Sequence, residues 1–398
     1  MKTFLAIAMI LCLSSGAAFS DTYFSSQTNG LGTRQFLSSV RAMGMGGGFA
    51  FGDSLSLENY LISQWRYVDH TRATFVMGYN RNDTELPGTS FTVSTAEFNG
   101  LSIAIPIQRQ KWVIGATLQP YLLKESRLEQ QFINPNDSSR YTQRNDYTGN
   151  VNLARFNLVW SPMPQVGLAL HGNFYFGTLE ESYTVLFNAS SYLDIGHAVQ
   201  YRVKGAGIGL SADVRPMDNA HLAAFVDLKP KLSVDVEYLS SLTYLETGNR
   251  NINSFPLHYG LAGGFQFAKQ WQAVGGYAYQ DWASVLKQPA TNYDSWSHFN
   301  VGLEHQAAHI RRPNFLERFD WRAGYSQTNL GYLFNNASVT EKALHFGVGM
   351  PFSSWYNRLD LALVVGMRGD LTDNQVEEKF INLNFSLSMG ELWFQRIR

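Results

Sequence analysis

Large apolar residues recur at every second position through most of the chain after residue 67. The stretches 72–79, 154–160 and 344–350 show this most plainly, with small or polar residues between the bulky ones. A period of two sends alternate side chains to opposite faces of a β-strand. The pattern therefore predicts antiparallel strands with one bulky apolar face and one small or polar face.

The alternating stretches number fourteen, and each is about as long as a strand that crosses a bilayer at a tilt, at roughly ten residues. Lipid cannot satisfy the backbone groups of an open sheet edge, so the even number favours an all-β fold closed into a 14-stranded antiparallel transmembrane β-barrel. The predicted strands cover residues 67–80, 90–105, 111–122, 147–161, 165–178, 199–214, 219–228, 255–267, 271–282, 295–306, 317–328, 340–350, 357–369 and 376–389.

Loop lengths and aromatic positions favour the same architecture. Short turns such as 161–165 alternate with long polar loops, and outer-membrane barrels have this asymmetry. Aromatic residues gather near the predicted strand ends, as in interfacial girdles. A soluble secreted β-sandwich with ordinary core aromatics is the alternative, and it would be released without detergent. The long polar loops are predicted at 124–146, 179–197 and 229–254.

Both ends of the chain carry features of export. Residues 1–20 have a basic start, an apolar run and the small-residue site Ala18-Phe19-Ser20, which together predict a signal peptide cleaved before Asp21. The apolar run is too short for the alternative, an N-terminal membrane anchor. Near the C-terminus, Trp393-Phe394 resembles a barrel-assembly signal, and a short tail follows at 395–398.

Residues 21–66 show no sustained alternation and are interpreted as a compact segment packed against the larger sheet. Its glycine cluster at 44–48 allows tight packing and positive φ angles. A phosphate-binding loop is a poor interpretation, because no Lys-Ser/Thr pair follows the glycines and no strand precedes them. The rest of the predicted domain plan is a barrel over residues 67–394.

Composition excludes several other classes. An apolar fraction of 45% is too high for a disordered chain, and one cysteine among 398 residues excludes a disulfide scaffold. The formal net charge of −1 gives no support for a nucleic-acid partner. No uninterrupted apolar stretch reaches the length of a membrane-spanning helix, so a multi-span helical protein is also disfavoured.

The run from Arg41 to Ala50, followed by Asp53 to Asn59, resembles a motif of the FadL family of outer-membrane transport proteins and of the related PorV-type proteins. The resemblance implies that residues 21–66 form a hatch inside the barrel. It also implies passage of hydrophobic molecules, such as long-chain fatty acids or aromatic hydrocarbons, with a sideways exit at a kinked strand.

Within that resemblance, the third predicted strand contains Pro120, which lacks a backbone N–H and tends to mark a bulge or an edge. We expect a lateral gate there. A proline placed where the strand meets its loop is the equal alternative. A ligand with a carboxylate group would require a cationic side chain as its partner. Residues of the hatch would make the hydrophobic contacts with the ligand. The ligand-binding candidates are Arg41, Phe49, Phe51, Leu55, Leu57, Leu61, Arg72 and Arg155.

Lumenal ion pairs and hatch-to-wall packing are the alternative roles of these residues. The expected carboxylate partners are Asp213, Asp227, Glu304, Asp320 and Asp360. No catalytic, metal or cofactor motif is evident, since histidines are scattered singly and no G-x-S-x-G occurs. A barrel enzyme is therefore a weak alternative.

The expected partners are outer-membrane lipids with lipopolysaccharide, a hydrophobic small molecule, and the barrel-assembly machinery during biogenesis of a monomer. The expected location is the outer membrane of a bacterial cell. The main rival function is a PorV-like assembly or secretion partner without transport activity.

Overall fold

A computed structural model describes residues 22–26, 32–133, 140–187, 193–240, 248–249, 253–284, 293–307, 314, 316–352 and 356–391. The predicted signal peptide lies outside the described residues. The same holds for Trp393, Phe394 and the tail at 395–398.

Fourteen antiparallel strands close into a barrel, as the sequence pattern predicts, because the last strand pairs with the first. The closing ladder runs from Glu391 opposite Thr71 to Glu377 opposite Glu85. The barrel strands are β2 (Thr71–Leu86), β3 (Thr89–Gln108), β4 (Trp112–Leu123), β6 (Arg140–Met163), β7 (Val166–Phe187), β8 (Ile195–Met217), β9 (Ala220–Asp227), β12 (His258–Ala268), β13 (Trp271–Asp281), β14 (Tyr293–His305), β15 (Asp320–Phe334), β16 (Ala337–Phe352), β17 (Asn357–Asp370) and β18 (Val376–Glu391).

The two faces of the wall separate as the alternation requires. Bulky residues such as Leu210 and Phe346 point outward and are exposed, whereas their neighbours Ser211 and His345 point inward and are buried. An apolar outer surface over a polar interior is the arrangement of a membrane barrel.

Four further strands are not part of the barrel ring. They are β1 (Thr33–Arg34), β5 (Ser126–Ile133), β10 (Lys231–Ser240) and β11 (Gly248–Asn249). The helical pieces are α1 (Tyr23–Ser26), α2 (Val40–Met43) and the 3-10 helices η1 (Ile62–Tyr67) and η2 (Leu316–Arg318). No helix among the described residues is both long enough and apolar enough to span a membrane.

The predicted long loops contain more strand than expected. The ladder between β6 and β7 continues to the pair Tyr141–Phe187, and β5 and β10 flank this extension. Water bathes both faces beyond the bilayer, so the apolar alternation that marks a strand fades. Cross-strand contacts hold the extension instead, including ring stacking of Phe132 on Tyr141 at 5.5 Å and the ion pair of Arg127 with Asp146 at 2.5 Å.

The N-terminal segment, residues 32–68, packs inside the barrel. Ser63 donates its backbone N–H to Ser211 on β8 at 2.8 Å, and Trp65 is buried against Val113 on β4. Its use as a hatch remains a prediction.

Glycines make the closest contact between this segment and the wall possible. Gly46 has a φ of +99°, and the backbone of Met45 lies directly against Gly302 on β14 and Gly324 on β15. A methyl group at either wall position would meet backbone atoms of the segment, which cannot move aside as a side chain could. The glycine cluster thus serves packing, as the sequence indicated.

We therefore expect Gly302→Ala to destabilise the protein by about 1–3 kcal/mol, as overpacking does, and to expose the N-terminal segment to trypsin. The control is Gly275→Ala on β13, where the added methyl group would find only ordinary contacts, the nearest at 3.5 Å. Thermal unfolding and limited proteolysis in detergent measure both effects. Equal melting temperatures and cleavage rates for the two variants would contradict this fit.

Candidate functional site

An ion-pair network joins the N-terminal segment to the wall at the end of the barrel where β14 ends and β15 begins. Arg41 of α2 donates to Glu304 on β14, with Nε–Oε1 at 2.8 Å. Glu304 also accepts from Arg322 on β15 at 2.8 Å, and Arg322 reaches Asp320 at 2.9 Å and Asp360 at 2.7 Å. Glu304 therefore pairs with Arg41 of the segment and with Arg322 of the wall. Arg322 pairs in turn with Asp320 and Asp360.

Asp53 provides a second link between the segment and the wall. It pairs with Arg358 on β17 at 2.5 Å and lies 3.6 Å from Arg41. Burial raises the pKa of Asp53, but the guanidinium groups of Arg358 and Arg41 outweigh this effect and hold it well below its usual value. Asp53 is thus a fixed negative charge between two cations.

Glu58 behaves differently although it belongs to the same segment. Its carboxylate accepts from Ser39 Oγ at 2.6 Å, and burial raises its pKa to about 7. The Ser39 hydroxyl also accepts from the Ala42 N–H at the start of α2. Glu58 therefore couples the cap of α2 to the following loop, and burial makes it easier to protonate than an exposed carboxyl group.

Arg155 and Asp227 form a separate buried group higher in the lumen. Arg155 donates to Asp227 at 3.1 Å, to Asn173 at 2.8 Å, and to the backbone oxygen of Asn59 in the segment. Asp227 also lies 2.7 Å from His171 Nε2. The described residues contain no group of His, Cys, Asp and Glu side chains that could hold a metal ion.

The three predicted arginines therefore have different partners. Arg41 and Arg155 each pair with a carboxylate. Each also donates to a backbone oxygen of the segment, Arg41 to that of Phe51 and Arg155 to that of Asn59. Arg72 forms no ion pair within the described residues, and it donates to the Tyr356 backbone oxygen at 3.1 Å and to Ser388 Oγ at 3.2 Å.

The predicted apolar contacts mostly fill space. Phe49, Phe51 and Leu61 belong to the largest buried cluster, and Leu57 belongs to a second cluster with Trp65. Leu55 is only partly buried and borders a cavity of about 230 Å³ beside the ion-pair network.

An aromatic core occupies the middle of the lumen. Phe36 stacks on Tyr60 with centroids 4.4 Å apart and lies 5.0 Å from Trp296. Tyr60 in turn lies 5.4 Å from Phe225 on β9, and the guanidinium of Arg34 lies 4.0 Å from the Tyr121 ring centroid. Rings from the segment and the wall therefore pack together at this level.

The wall is interrupted between β3 and β4. Their ladder ends at the pair Leu101–Leu118, although β3 continues to pair with β2 as far as Thr89. The end of β4 pairs instead with β1, with Leu123 opposite Thr33. A register shift with β6 lies just beyond Pro120. We call this interruption the β3–β4 gap.

A cavity of about 160 Å³, the side cavity, lies inside the wall and is bordered by residues from both edges of the gap, including Glu97 on β3 and Leu123 on β4. Five asparagines are among the residues that line it: Asn80, Asn82, Asn99, Asn382 and Asn384.

These asparagines are absent from the sequence-predicted site. The available signal was the pattern Asn-x-Asn at 80–82 and again at 382–384. The two patterns lie on paired strands, with Asn382 opposite Asn80, so the ladder brings them together. Inward polar residues are ordinary in a barrel, and only strand pairing distinguishes this set.

Comparisons with known proteins give one family and one fold. A family model described as BamG matches residues 1–398. No curated protein sequence matches the chain. The solved structure of a FadL homologue from Pseudomonas aeruginosa is 12% identical with a TM-score of 0.58, covering 90% of this chain and 98% of its own.

Two toluene transporters have the same fold. TodX from Pseudomonas putida is 13% identical with a TM-score of 0.60, covering 92% of this chain and 100% of its own. TbuX from Ralstonia pickettii is 13% identical with a TM-score of 0.57, covering 87% and 96%. At these identities the likeness concerns the fold alone, and it does not bear on PorV-type proteins.

We expect Glu304→Gln to cost about 3–5 kcal/mol of unfolding free energy, because Arg41 and Arg322 lose a shared buried counter-charge. The matched control is Glu237→Gln, which removes the surface pair with Arg202 and should cost at most about 1 kcal/mol. Urea unfolding in detergent measures both. Equal losses for the two variants would show that the network does not hold the segment.

Proposed function

The chain belongs to the BamG family, and from this premise we propose that it is an outer-membrane barrel that assists the assembly of other β-barrels as a closed partner, not as an open pore. The family name associates it with the barrel-assembly machinery. Its apolar outer wall is suited to the membrane in which that machinery works.

The observation that supports this proposal is the way the N-terminal segment is held inside the barrel. The ion-pair network anchors the segment at one end of the barrel, and the aromatic core packs it against the wall in the middle. Withdrawing the segment would part Arg41 from Glu304 and Asp53 from Arg358. Each buried charge left without its partner costs about 3–5 kcal/mol, which is a large fraction of a protein's total stability.

When the interior of a barrel is fixed, its partners bind to its outer surface. The extension formed by β5, β6, β7, β8 and β10 gives it surface beyond the bilayer, and the wall gives it surface within the bilayer. Both can be recognised without any movement of the N-terminal segment. The activity of an assembly partner should therefore survive when the segment is fixed covalently.

We expect a disulfide between Ser63→Cys and Ser211→Cys to leave function intact. The Ser63 N–H lies 2.8 Å from Ser211 Oγ, and a chain cleaved before Asp21 has no other cysteine. In cells depleted of the protein, other outer-membrane barrels should fall in abundance. The oxidised double variant should restore them and should co-purify with assembly components in mild detergent.

The two single-cysteine variants are the controls for that complementation, and disulfide formation is verified by gel shift with and without reductant. Normal levels of other barrels after depletion, with no assembly component recovered, would overturn the proposal. Failure of the oxidised variant alone, with rescue by reductant, would show that the segment must move.

The β3–β4 gap favours a second candidate, passive passage of hydrophobic molecules with lateral exit at Pro120. The FadL homologue and the toluene transporters share the fold. In this candidate, Arg41, Arg72, Arg155 and the apolar residues of the segment remain the proposed ligand contacts.

For this candidate we expect Pro120→Ala to lower uptake of labelled toluene and oleate severalfold, because a restored N–H would let β4 straighten and narrow the gap. Gln119→Ala on the same strand is the control. Whole-cell uptake is compared at equal levels of folded protein, scored by heat-modifiable gel mobility. Unchanged uptake in a folded Pro120→Ala variant removes the gate from consideration.

A further inference from the structure

The side cavity combines a polar wall with an apolar roof. Beside the asparagines, Thr33 of β1 lines one side, whereas the rings of Phe36 and Trp296 line another. Asn99 donates to Asn384 at 2.9 Å, so part of the amide set is held in a fixed orientation. At about 160 Å³, the cavity exceeds the space of a single water many times.

Polar atoms of at least three residues that line it, Thr33, His298 and Asn382, have no hydrogen-bond partner among the described residues. The Thr33 hydroxyl belongs to a residue that is only 6% exposed, and Asn382 Oδ1 is likewise buried without a partner. A buried polar atom that is left unpaired costs about 1–3 kcal/mol. Such atoms on a cavity wall indicate that the contents of the cavity supply hydrogen bonds.

The guanidinium groups beside the cavity use their hydrogen-bond donors within the protein. Arg368 pairs with Glu341 at 2.5 Å and lies 3.7 Å from Glu378. Arg34 has no carboxylate partner among the described residues, and it donates to Gln280 at 3.2 Å and to Tyr60 at 3.3 Å. Asn382 Oδ1 is an unpaired acceptor, so the cavity favours an occupant that brings hydroxyl or amide donors, which a carboxylate lacks.

The gap gives this cavity a side entrance at the edge of the membrane. On the outer face of β2, Phe75, Met77 and Tyr79 give way to the charged residues Arg81 and Asp83 within a few positions. The strand therefore leaves the hydrocarbon layer near Tyr79, and the neighbouring inward residue Asn80 lines the cavity. The gap opens within the hydrocarbon layer, where Leu101 lies opposite Phe75, and it reaches the depth of lipid headgroups where Thr95 lies opposite Asn80.

From these observations we propose that the side cavity binds the neutral, hydroxyl-rich headgroup of an amphiphile, a sugar ring, that enters from the membrane through the β3–β4 gap. Hydroxyl groups of the sugar satisfy Thr33 and Asn382, and its C–H face packs on Trp296. The acyl chain remains in the lipid outside the gap. This inference does not depend on the role in barrel assembly.

The same surface is poorly suited to a hydrocarbon. An alkyl chain or toluene in this cavity would displace water from the five asparagines without replacing its hydrogen bonds. Burying polar groups without partners is unfavourable, by about 1–3 kcal/mol each on protein scales. The amide wall therefore selects against the ligands of the toluene transporters.

The test is equilibrium binding to the purified full chain in phospholipid nanodiscs. The probes are radiolabelled octyl glucoside below its micellar concentration, glucose, and octanoate. We expect saturable binding of octyl glucoside, weakened about threefold to tenfold by Thr33→Val, which deletes one hydrogen bond and keeps the shape. Asn382→Leu should weaken binding similarly, and Thr33→Ser should restore it.

Leu383→Val, on the lipid-facing side of β18 next to Asn382, is the control and should bind normally. Saturable binding of glucose as well would show that the headgroup suffices, and binding of octyl glucoside alone would show that the chain is needed to reach the gap. Octanoate bound in preference, non-saturable octyl glucoside uptake, or indifference to both cavity variants would each overturn the proposal. A variant that loses its melting transition is replaced by Asn384→Ser.

Discussion

A closed ring of fourteen strands encloses more space than its own inward side chains can fill, and the rest of this structure depends on how that space is occupied. The chain uses its N-terminal segment. Because the inward wall is polar, apolar packing alone cannot seat the segment, so Arg41, Glu304 and Arg322 form a shared network. Where the wall carries glycine instead, as at Gly302, backbone meets backbone.

The strands could be predicted because one physical rule repeats along them. Residues that face hydrocarbon must be apolar, whereas residues that face the lumen need not be. A stretch that alternates between the two, such as 72–79, can therefore be recognised as a strand from its sequence. The rule stops where water covers both faces, so β5 and residues 140–146 of β6 fall within the predicted loop. Pro120 could be noticed from its missing N–H, whereas the parting of β3 from β4 at Leu118 depends on pairing that no single strand reveals.

The candidate site was less accessible from sequence for a related reason. The types of residue could be named, and Arg41 and Arg155 are indeed buried in the lumen. Their partners come from positions more than 70 residues away, since Asp227 reaches Arg155 through the pairing of β6 to β9 and Glu304 reaches Arg41 through the packing of the segment on β14. The asparagines at 80–82 and 382–384 are separated by nearly the whole chain and become one surface only because β18 closes onto β2.

The unequal strand lengths have a further consequence. β6, β7 and β8 contain 24, 22 and 23 residues, whereas β12, β13 and β14 contain 11, 11 and 13. At about 3.3 Å per residue, the first group rises well past the bilayer on one sector of the circumference. The molecule is therefore asymmetric in the plane of the membrane. A large neighbour diffusing in that plane meets long strands from one direction and shorter strands about a quarter of the way round the ring, so encounters are oriented before any specific contact forms.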